Sequence, residues 1–235
     1  MEIASTGVFA RSGMLEELTA YAERDKDQVQ LDDFNPGLMG NACVDDKLFG
    51  LPFMRSTPIL YKNVTMLKDA GLDPEGPKTW DELEQYSRVL KEKGKVGMTV
   101  AADIWFYEAL VAQSGCQLVM TSKSTKEEKE AAWEFITWMT SKENTTYQHK
   151  HVGYLPTRMS AVESDELKAH FAEYPQFKVA VDQLEYARPR PMENAYPEVA
   201  KIVKDAIQKA IIEPDTSPQE ALNEAAEKAN KLLGK

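Results

Sequence analysis

The stretch AGLDPEGPKTWDEL, residues 70–83, combines a turn-rich segment with the start of a helix. Glycine and proline punctuate its first half, which favours a tight turn. Thr79 and Glu82 have the spacing of a capping box, in which the threonine hydroxyl accepts a hydrogen bond from the Glu82 amide. Apolar residues then recur at helical spacing as far as Gly94. We therefore predict an amphipathic helix that ends there.

Strand-like runs lie mainly before this helix, and helical patterns dominate after it. Residues 47–54 and 57–63 are apolar enough for strands, but Pro52 and Pro58 restrict them to edges or crossing points. Residues 12–24 and 104–114 have helical patterns, and residues 96–102 resemble a strand. The order predicts an α/β fold with about three or four strands against about seven helices.

The second half of the chain carries clear helix signals. Ser124 and Glu127 form a second predicted capping box. The following helix should turn one apolar face inward, and its tryptophans Trp133 and Trp138 should be core or half-buried. The predicted inward residues are Ala131, Ala132, Phe135, Ile136 and Met139. Ser217 should cap the last helix, with a proline at its first position.

Composition excludes several classes of protein. The 235 residues carry 28 basic and 38 acidic side chains, a net charge of −10, and 43% are apolar. This mix is typical of a globular protein and excludes a collagen, a disordered acidic tail or a membrane bundle. The acidic balance argues against a nucleic-acid partner. The first 14 residues are not a signal peptide as written, although an exported protein without its leader would look the same.

No established catalytic or metal-binding motif occurs in the sequence. Cys43 and Cys116 lack zinc spacing, and we interpret them as two unrelated thiols, although the sequence does not decide whether they pair. His149 and His151 lie at a helix end without a third ligand, which favours solvated or capping roles. We therefore expect no metal and no cofactor.

Aromatic and hydroxyl side chains are the first candidates for a ligand site. Trp105 follows a predicted strand end, where α/β proteins often bind ligands, and Tyr154 lies in a Gly-Tyr-Leu-Pro turn. Aromatic rings pack against the C–H faces of sugars. Ser56 and Thr57 offer two hydroxyls before a proline. The alternative is a core position for Trp105 and a simple turn cap for the two hydroxyls.

Two arginines complete the candidate set. Arg188 and Arg190 lie in ARPRP, where the prolines stiffen the backbone. A rigid arginine can hold an anionic group, and the alternative is a basic surface loop. The sequence does not decide which of the two faces a ligand.

Four ordered blocks resemble the extracellular solute-binding proteins of ABC importers, in the large sugar-binding family. They are DDKLFGLPFMRSTPILYKN, AGLDPEGPKTWDEL, KEEKEAAWEFITWMTSKEN and HVGYLPTRMSA. The Ser-Thr-Pro and Gly-Tyr-Leu-Pro pair is most similar to the glycerol-3-phosphate-binding branch. The resemblance extends over nearly the whole chain.

The chain also departs from the family pattern. It begins after the usual strand–helix–strand start, and a long stretch of the second lobe is absent near Met120 and Thr121. Asp46, Lys62 and Val64 replace an expected glycine, aromatic and lysine, and Cys116 replaces a common glycine. On this resemblance we expect an incomplete, helix-rich chain, and the sequence does not decide whether the segments are deleted from the protein or only omitted from the sequence.

The resemblance implies a periplasmic-binding-protein-like α/β fold of two lobes that close on a solute by a hinge. Residues 1–55 would belong to lobe 1, 56–120 to lobe 2, 121–159 to lobe 1 again, and 160–235 to a helical region packing on both lobes. The implied ligand-binding residues are Ser56, Thr57, Trp105, Tyr154, Arg188 and Arg190. The implied partners are a small solute, either a sugar or a glycerol phosphate, and a membrane permease. The resemblance also implies a monomer that works in the periplasm or outside the cell, and whose precursor can carry a lipid anchor.

Two other readings stay open. An enzyme on the same fold would need a nucleophile or acid, for which Cys43, Cys116 and Glu108 are the candidates, and none has a recognisable partner. An incomplete or engineered piece that folds without binding would also explain the scarcity of strands. We expect no catalysis.

Overall fold

The computed structural model describes residues 3–57, 59–100, 114–213 and 215–234, and for residues 114–116 it describes the backbone. The chain divides into two compact units. The first takes in residues 1–58 and 103–235, and the second residues 59–102. The four-part lobe division given above stays a prediction.

The first unit contains most of the helices and the strands. Its helices are α1 (Thr6–Arg11), α2 (Thr19–Arg24), α3 (Lys26–Val29), α4 (Pro36–Met39), α7 (Lys126–Met139), α8 (Lys142–Val152), α9 (Met159–Val162), α10 (Asp165–Glu173), α11 (Pro175–Asp182), α12 (Tyr196–Ile212) and α13 (Pro218–Leu232). Short 3₁₀ turns cover Ile3–Ser5, Leu31–Asp33 and Gln183–Tyr186. The strands are β1 (Cys43–Val44), β2 (Lys47–Leu48), β3 (Gly50–Ser56) and β4 (Ser114–Val119).

The strands form two antiparallel pairs. β1 and β2 make a short hairpin whose turn residues, Asp45 and Asp46, both have positive φ. Such a two-residue turn matches the twist of the flanking strands, and aspartate tolerates that conformation better than most residues. The two adjacent acids are therefore turn residues.

β3 pairs with β4 from Gly50 opposite Val119 to Ser56 opposite Ser114. The register shifts between Phe53 and Arg55, where Met54 takes a left-handed φ of 45°. A bulge of this kind turns the next side chain to the other face of the strand. Here it sends Arg55 into the interior.

Two apolar clusters stabilise the first unit. One lies between α2, the β2–β3 region and α7, and it includes Leu18, Phe34, Leu51, Trp133 and Ile136. The other lies under α9, α10 and α11, and it includes Leu38, Leu155, Leu167, Phe171 and Leu184. The segment that links them runs through β3 and the turn after α8.

The second unit consists of α5 (Val64–Ala70), α6 (Trp80–Glu92) and connecting chain. The Thr79 hydroxyl accepts from the Glu82 amide at 3.1 Å, as predicted. The Glu82 carboxylate accepts from the Lys78 amide at 2.6 Å and not from Thr79. α6 ends at Glu92, and Gly94 follows with a φ of 69°.

Several predicted elements differ from the structure. The helix predicted over residues 12–24 is wrong in its first half, because α1 ends before Ser12 and Gly13 takes a left-handed φ of 72°. Its second half contains α2. Residues 59–63 and 96–100 form no strand. The predicted helix 104–114 falls largely outside the described residues.

The later helices follow their predicted positions more closely. The capping box of α7 uses Thr125 and Glu128, one residue after the predicted pair. Ser217 caps α13 by accepting from the Glu220 amide, as predicted. Within the part of the chain that the structure describes, no helix is both long and apolar enough to traverse a lipid bilayer.

The two tryptophans of α7 have opposite environments. Trp133 is 2% exposed, packs on the Tyr21 ring and donates its indole N–H to Asp25 at 2.7 Å. Trp138 is 58% exposed, and Phe135, predicted to face inward, is 53% exposed. The helix therefore buries the face that carries Trp133 and Ile136.

This contrast gives a test of the core. Trp133→Ala should lower the free energy of unfolding by about 3–5 kcal/mol, because it leaves a cavity and removes the indole hydrogen bond to Asp25. Trp138→Ala, the matched control on the same helix, should change it by less than about 0.5 kcal/mol. Urea unfolding followed by far-ultraviolet circular dichroism measures both. Equal losses in the two variants would contradict the assigned face of α7.

Candidate functional site

The end of β3 and the Gly-Tyr-Leu-Pro turn meet through the backbone. The Leu155 amide donates to the Arg55 carbonyl at 2.7 Å, and the two residues form an isolated antiparallel bridge. In an antiparallel pair the next residues also face each other, which brings Ser56 beside Tyr154. Ser56, Thr57 and Tyr154 are all half-buried. By this register Ser56 and Tyr154 lie opposite each other at the end of β3, and Thr57 is the next residue along the chain.

Arg55 anchors this end of the strand. It is 1% exposed, and its Nη2 donates to the Leu38 carbonyl at 2.8 Å. Leu38 belongs to α4, whose cap Asn35 donates its backbone N–H to the Thr157 carbonyl at 2.9 Å. Side-chain and backbone bonds of one buried arginine therefore tie β3 to α4 and to the turn after α8.

The turn itself is held from behind by a buried histidine. Gly153 ends α8 with a left-handed φ of 86°, and the ring nitrogen Nδ1 of His149 lies 2.7 Å from the Tyr154 carbonyl oxygen. His149 is 1% exposed, and burial is the main cause that lowers its pKa. The predicted solvated role is wrong for His149, because its ring lies in the interior. The bond to a carbonyl just after the helix end agrees with the capping alternative. His151 is exposed, as predicted.

The segment after the turn is fixed by threonine and arginine contacts. The Thr157 amide donates to the Thr145 hydroxyl at 2.9 Å. Arg158 is buried, donates to the Thr140 carbonyl at 2.5 Å and stacks its guanidinium 4.1 Å from the Phe34 ring centre. Burial lowers the pKa of Arg158, and the nearby Asp33 carboxylate opposes that effect. Tyr154 therefore stands on a turn whose two ends are both fixed.

The two candidate arginines differ sharply in their surroundings. Arg188 is exposed, and its Nη1 donates to the neighbouring Ala187 carbonyl at 3.3 Å. Arg190 is 6% exposed, and its guanidinium lies 5.5 Å from the Tyr196 ring centre and donates to the Tyr196 hydroxyl. The Asn41 side chain holds the Arg190 backbone with two hydrogen bonds. Its Nδ2 donates to the Arg190 carbonyl at 2.8 Å, and its Oδ1 accepts from the Arg190 amide at 3.0 Å. Arg190 has the fixed geometry and Arg188 does not.

The remaining candidates are placed as follows. Trp105 and Glu108 lie outside the described residues, so their positions stay predictions. Cys43 is a free thiol at the start of β1. The described residues contain no group of three or more histidine, cysteine or acidic side chains that could hold a metal ion.

Sequence reasoning missed three residues that build this site. They are Arg55, Asn41 and His149. The spacing of Thr145 and His149, four residues apart, places them on one helix face and was a usable signal for His149. Arg55 and Asn41 gave none, because each contact joins residues far apart in the sequence.

A wide concavity of the first unit lies elsewhere. It has a volume of about 1030 Å³ and is lined by residues of α2, α3 and the following turn, among them Glu23, Asp27 and Leu31. Of the predicted ligand-binding residues that the structure describes, none lines it. The candidate site therefore rests on the meeting of β3 and the turn, and not on this depression.

Two family models, both describing bacterial extracellular solute-binding proteins, match residues 3–119 and 111–178. The sn-glycerol-3-phosphate-binding periplasmic protein UgpB of Shigella flexneri is 54% identical over 48 residues, and that of Escherichia coli K12 is 52% identical over 48. These 48 residues span 20% of this chain and only 11% of either relative.

Solved structures resemble the whole chain. UgpB from Mycobacterium tuberculosis, in complex with glycerophosphocholine, has a TM-score of 0.82 at 19% identity, covering 100% of this chain and 82% of that chain. Maltose-bound MalE3 from T. maritima has a TM-score of 0.77 at 19% identity, covering 99% and 83%. These likenesses confirm the predicted two-lobed, periplasmic-binding-protein-like fold. The two family models, which together cover residues 3–178, identify the chain as a member of the bacterial extracellular solute-binding proteins.

Proposed function

We propose that this chain is the solute-binding component of an ABC importer and captures a glycerol phosphate, or its diester, without catalysis. The observation that carries the proposal is the Arg55–Leu155 bridge, whose antiparallel register implies that Ser56 lies opposite Tyr154, within a chain of this family. Delivery to a membrane permease, in the periplasm or at the cell surface, completes the proposed role.

The hydroxyl groups at the end of β3 suit a polyol. Ser56 and Thr57 each offer a donor and two acceptor lone pairs, and Tyr154 adds a phenol and a ring face. A glycerol moiety needs such fixed polar partners together with an apolar surface for its C–H groups. The half-burial of all three residues leaves part of each side chain accessible.

Arg190 is the better candidate for the anionic group. A guanidinium already held against Tyr196 and clamped at its backbone loses little conformational freedom when a phosphate binds. Arg188, with its bond to the adjacent carbonyl, has no comparable support. Relatives that bind glycerol 3-phosphate and glycerophosphocholine support a phosphate-bearing ligand over a neutral sugar.

Calorimetric titration tests this assignment. Glycerophosphocholine, sn-glycerol 3-phosphate and maltose should be added separately to the purified protein. Arg190→Ala should weaken the binding of both phosphate ligands at least about tenfold, because a charge-assisted hydrogen bond is lost. Arg188→Ala is the matched control and should stay within about twofold of the unaltered protein.

The outcomes separate the parts of the proposal. Arg190→Lys keeps the positive charge and serves as a conservative variant. The melting temperature of each variant, compared with that of the unaltered protein, shows whether the fold is retained. Loss on Arg188→Ala alone would reverse the choice of arginine. Binding of maltose with no phosphate ligand would contradict the ligand class, and no binding of any solute by a normally melting protein would contradict the proposed function.

The hydroxyl groups allow a finer test. Ser56→Ala and Tyr154→Phe each remove one oxygen and should weaken glycerophosphocholine binding about threefold to tenfold, the usual value of one hydrogen bond. Tyr186→Phe is the control, because Tyr186 is 69% exposed and lies in the turn after α11. If the two site variants bind as tightly as Tyr186→Phe, the ligand does not contact this end of β3.

A further inference from the structure

His149 lies in an aromatic enclosure directly behind the Tyr154 turn. The ring centres of Phe171 and Phe177 are each 5.4 Å away, and that of His170 is 5.6 Å away, all edge-on. The enclosure is formed by α8, α10 and α11. It separates His149 from solvent while its Nδ1 reaches the Tyr154 carbonyl.

The hydrogen bond fixes the tautomer of the neutral ring. A carbonyl oxygen only accepts, so Nδ1 carries the proton and donates. Nε2 is then unprotonated, and it is buried without a hydrogen-bond partner among the described residues. A second proton would add a charge and an N–H with no acceptor inside an apolar enclosure.

The neighbouring groups oppose that second proton. From α10 the titratable neighbour is His170, whose own Nε2 is also buried without a partner among the described residues. Tyr174 lies beyond it, 5.1 Å between ring centres, and interacts with Glu173. From α11 the facing group is the neutral Phe177. On α8, Lys150 pairs with Glu166 and His151 stacks on Tyr147, and both are tied to other partners.

Among the described residues, α9 and the turn after α8 add no carboxylate partner for the ring. α9 carries no charged residue, and Arg158 before it is occupied by Thr140 and Asp33. The turn contributes the Tyr154 carbonyl. Proximity of His170 also disfavours a charge on His149, which agrees with its lowered pKa.

We propose that His149 is a positioning residue for Tyr154, and that protonation of His149 releases the turn and so makes solute capture pH-dependent. This inference rests on the proposed function, since it takes Tyr154 as a solute contact. In the neutral state the imidazole holds the Tyr154 carbonyl. In the protonated state the charge is accommodated only when the enclosure opens to water.

The direction of the pH effect follows from linkage. The folded state with the turn in place has a lowered histidine pKa, whereas an open or unfolded state has the ordinary value of about 6.5. Above that value the turn is fully held. As the pH falls below it, the open state takes up protons that the closed state does not, and the closed state is progressively lost.

The test measures glycerophosphocholine affinity at about pH 7.5 and about pH 5.5, because a phosphodiester does not titrate in this range. Affinity of the unaltered protein should fall about tenfold on acidification. His149→Asn retains a donor for the carbonyl without a titratable ring, so its affinity, whatever its value at neutral pH, should be the same at about pH 5.5. His149→Phe should bind weakly at both values.

His151→Asn is the matched control, two residues along the same helix, and should keep the full pH dependence. A constant affinity in the unaltered protein, or equal losses in His149→Asn, would overturn the inference. If no solute binds at neutral pH, the proposed function fails. Nuclear magnetic resonance then still tests whether protonation of His149 is coupled to the conformation of the Tyr154 turn. The Gly153 and Tyr154 amide signals should then follow the titration of the His149 ring nitrogens, and signals that ignore it would contradict the positioning role.

Discussion

The backbone contact between Arg55 and Leu155 is the constraint on which the site depends. It joins residues that are 100 positions apart, and it exists because the bulge at Met54 turns Arg55 inward while leaving its carbonyl available to the turn. Burying a guanidinium is costly unless its donors are satisfied. The Leu38 carbonyl meets part of that requirement, which makes α4, β3 and the turn after α8 parts of one arrangement.

The turn gains its rigidity from contacts on several sides. Gly153 supplies the left-handed backbone that ends α8, and the Thr145 hydroxyl receives the Thr157 amide. His149 supports the middle of the turn through the Tyr154 carbonyl. A side chain carried on a turn fixed in this way reaches a ligand with little loss of conformational freedom, which is the general advantage of a preorganised site.

Local signals predicted the parts of the fold that local interactions determine. Thr79 caps α6 and Ser217 caps α13 because a hydroxyl and an amide three residues apart need no help from the rest of the chain. The helix predicted over residues 12–24 is wrong only in its first half, where Gly13 forms a left-handed turn and Leu15 bridges to Thr121. Likewise, Ser56 and Tyr154 were each predicted from sequence, but their adjacency depends on a pairing that no local pattern encodes.

His149 and His151 show why residue type and spacing alone do not decide a role. Two positions along an α-helix rotate a side chain by about 200°, so the two rings lie on nearly opposite faces. One face of α8 meets α10 and α11, and there His149 is enclosed by Phe171 and Phe177. The other face is solvated, and there His151 stacks on Tyr147 and bonds back to its own helix. The same imidazole is therefore a buried support for the candidate site at one position and a surface residue at the other.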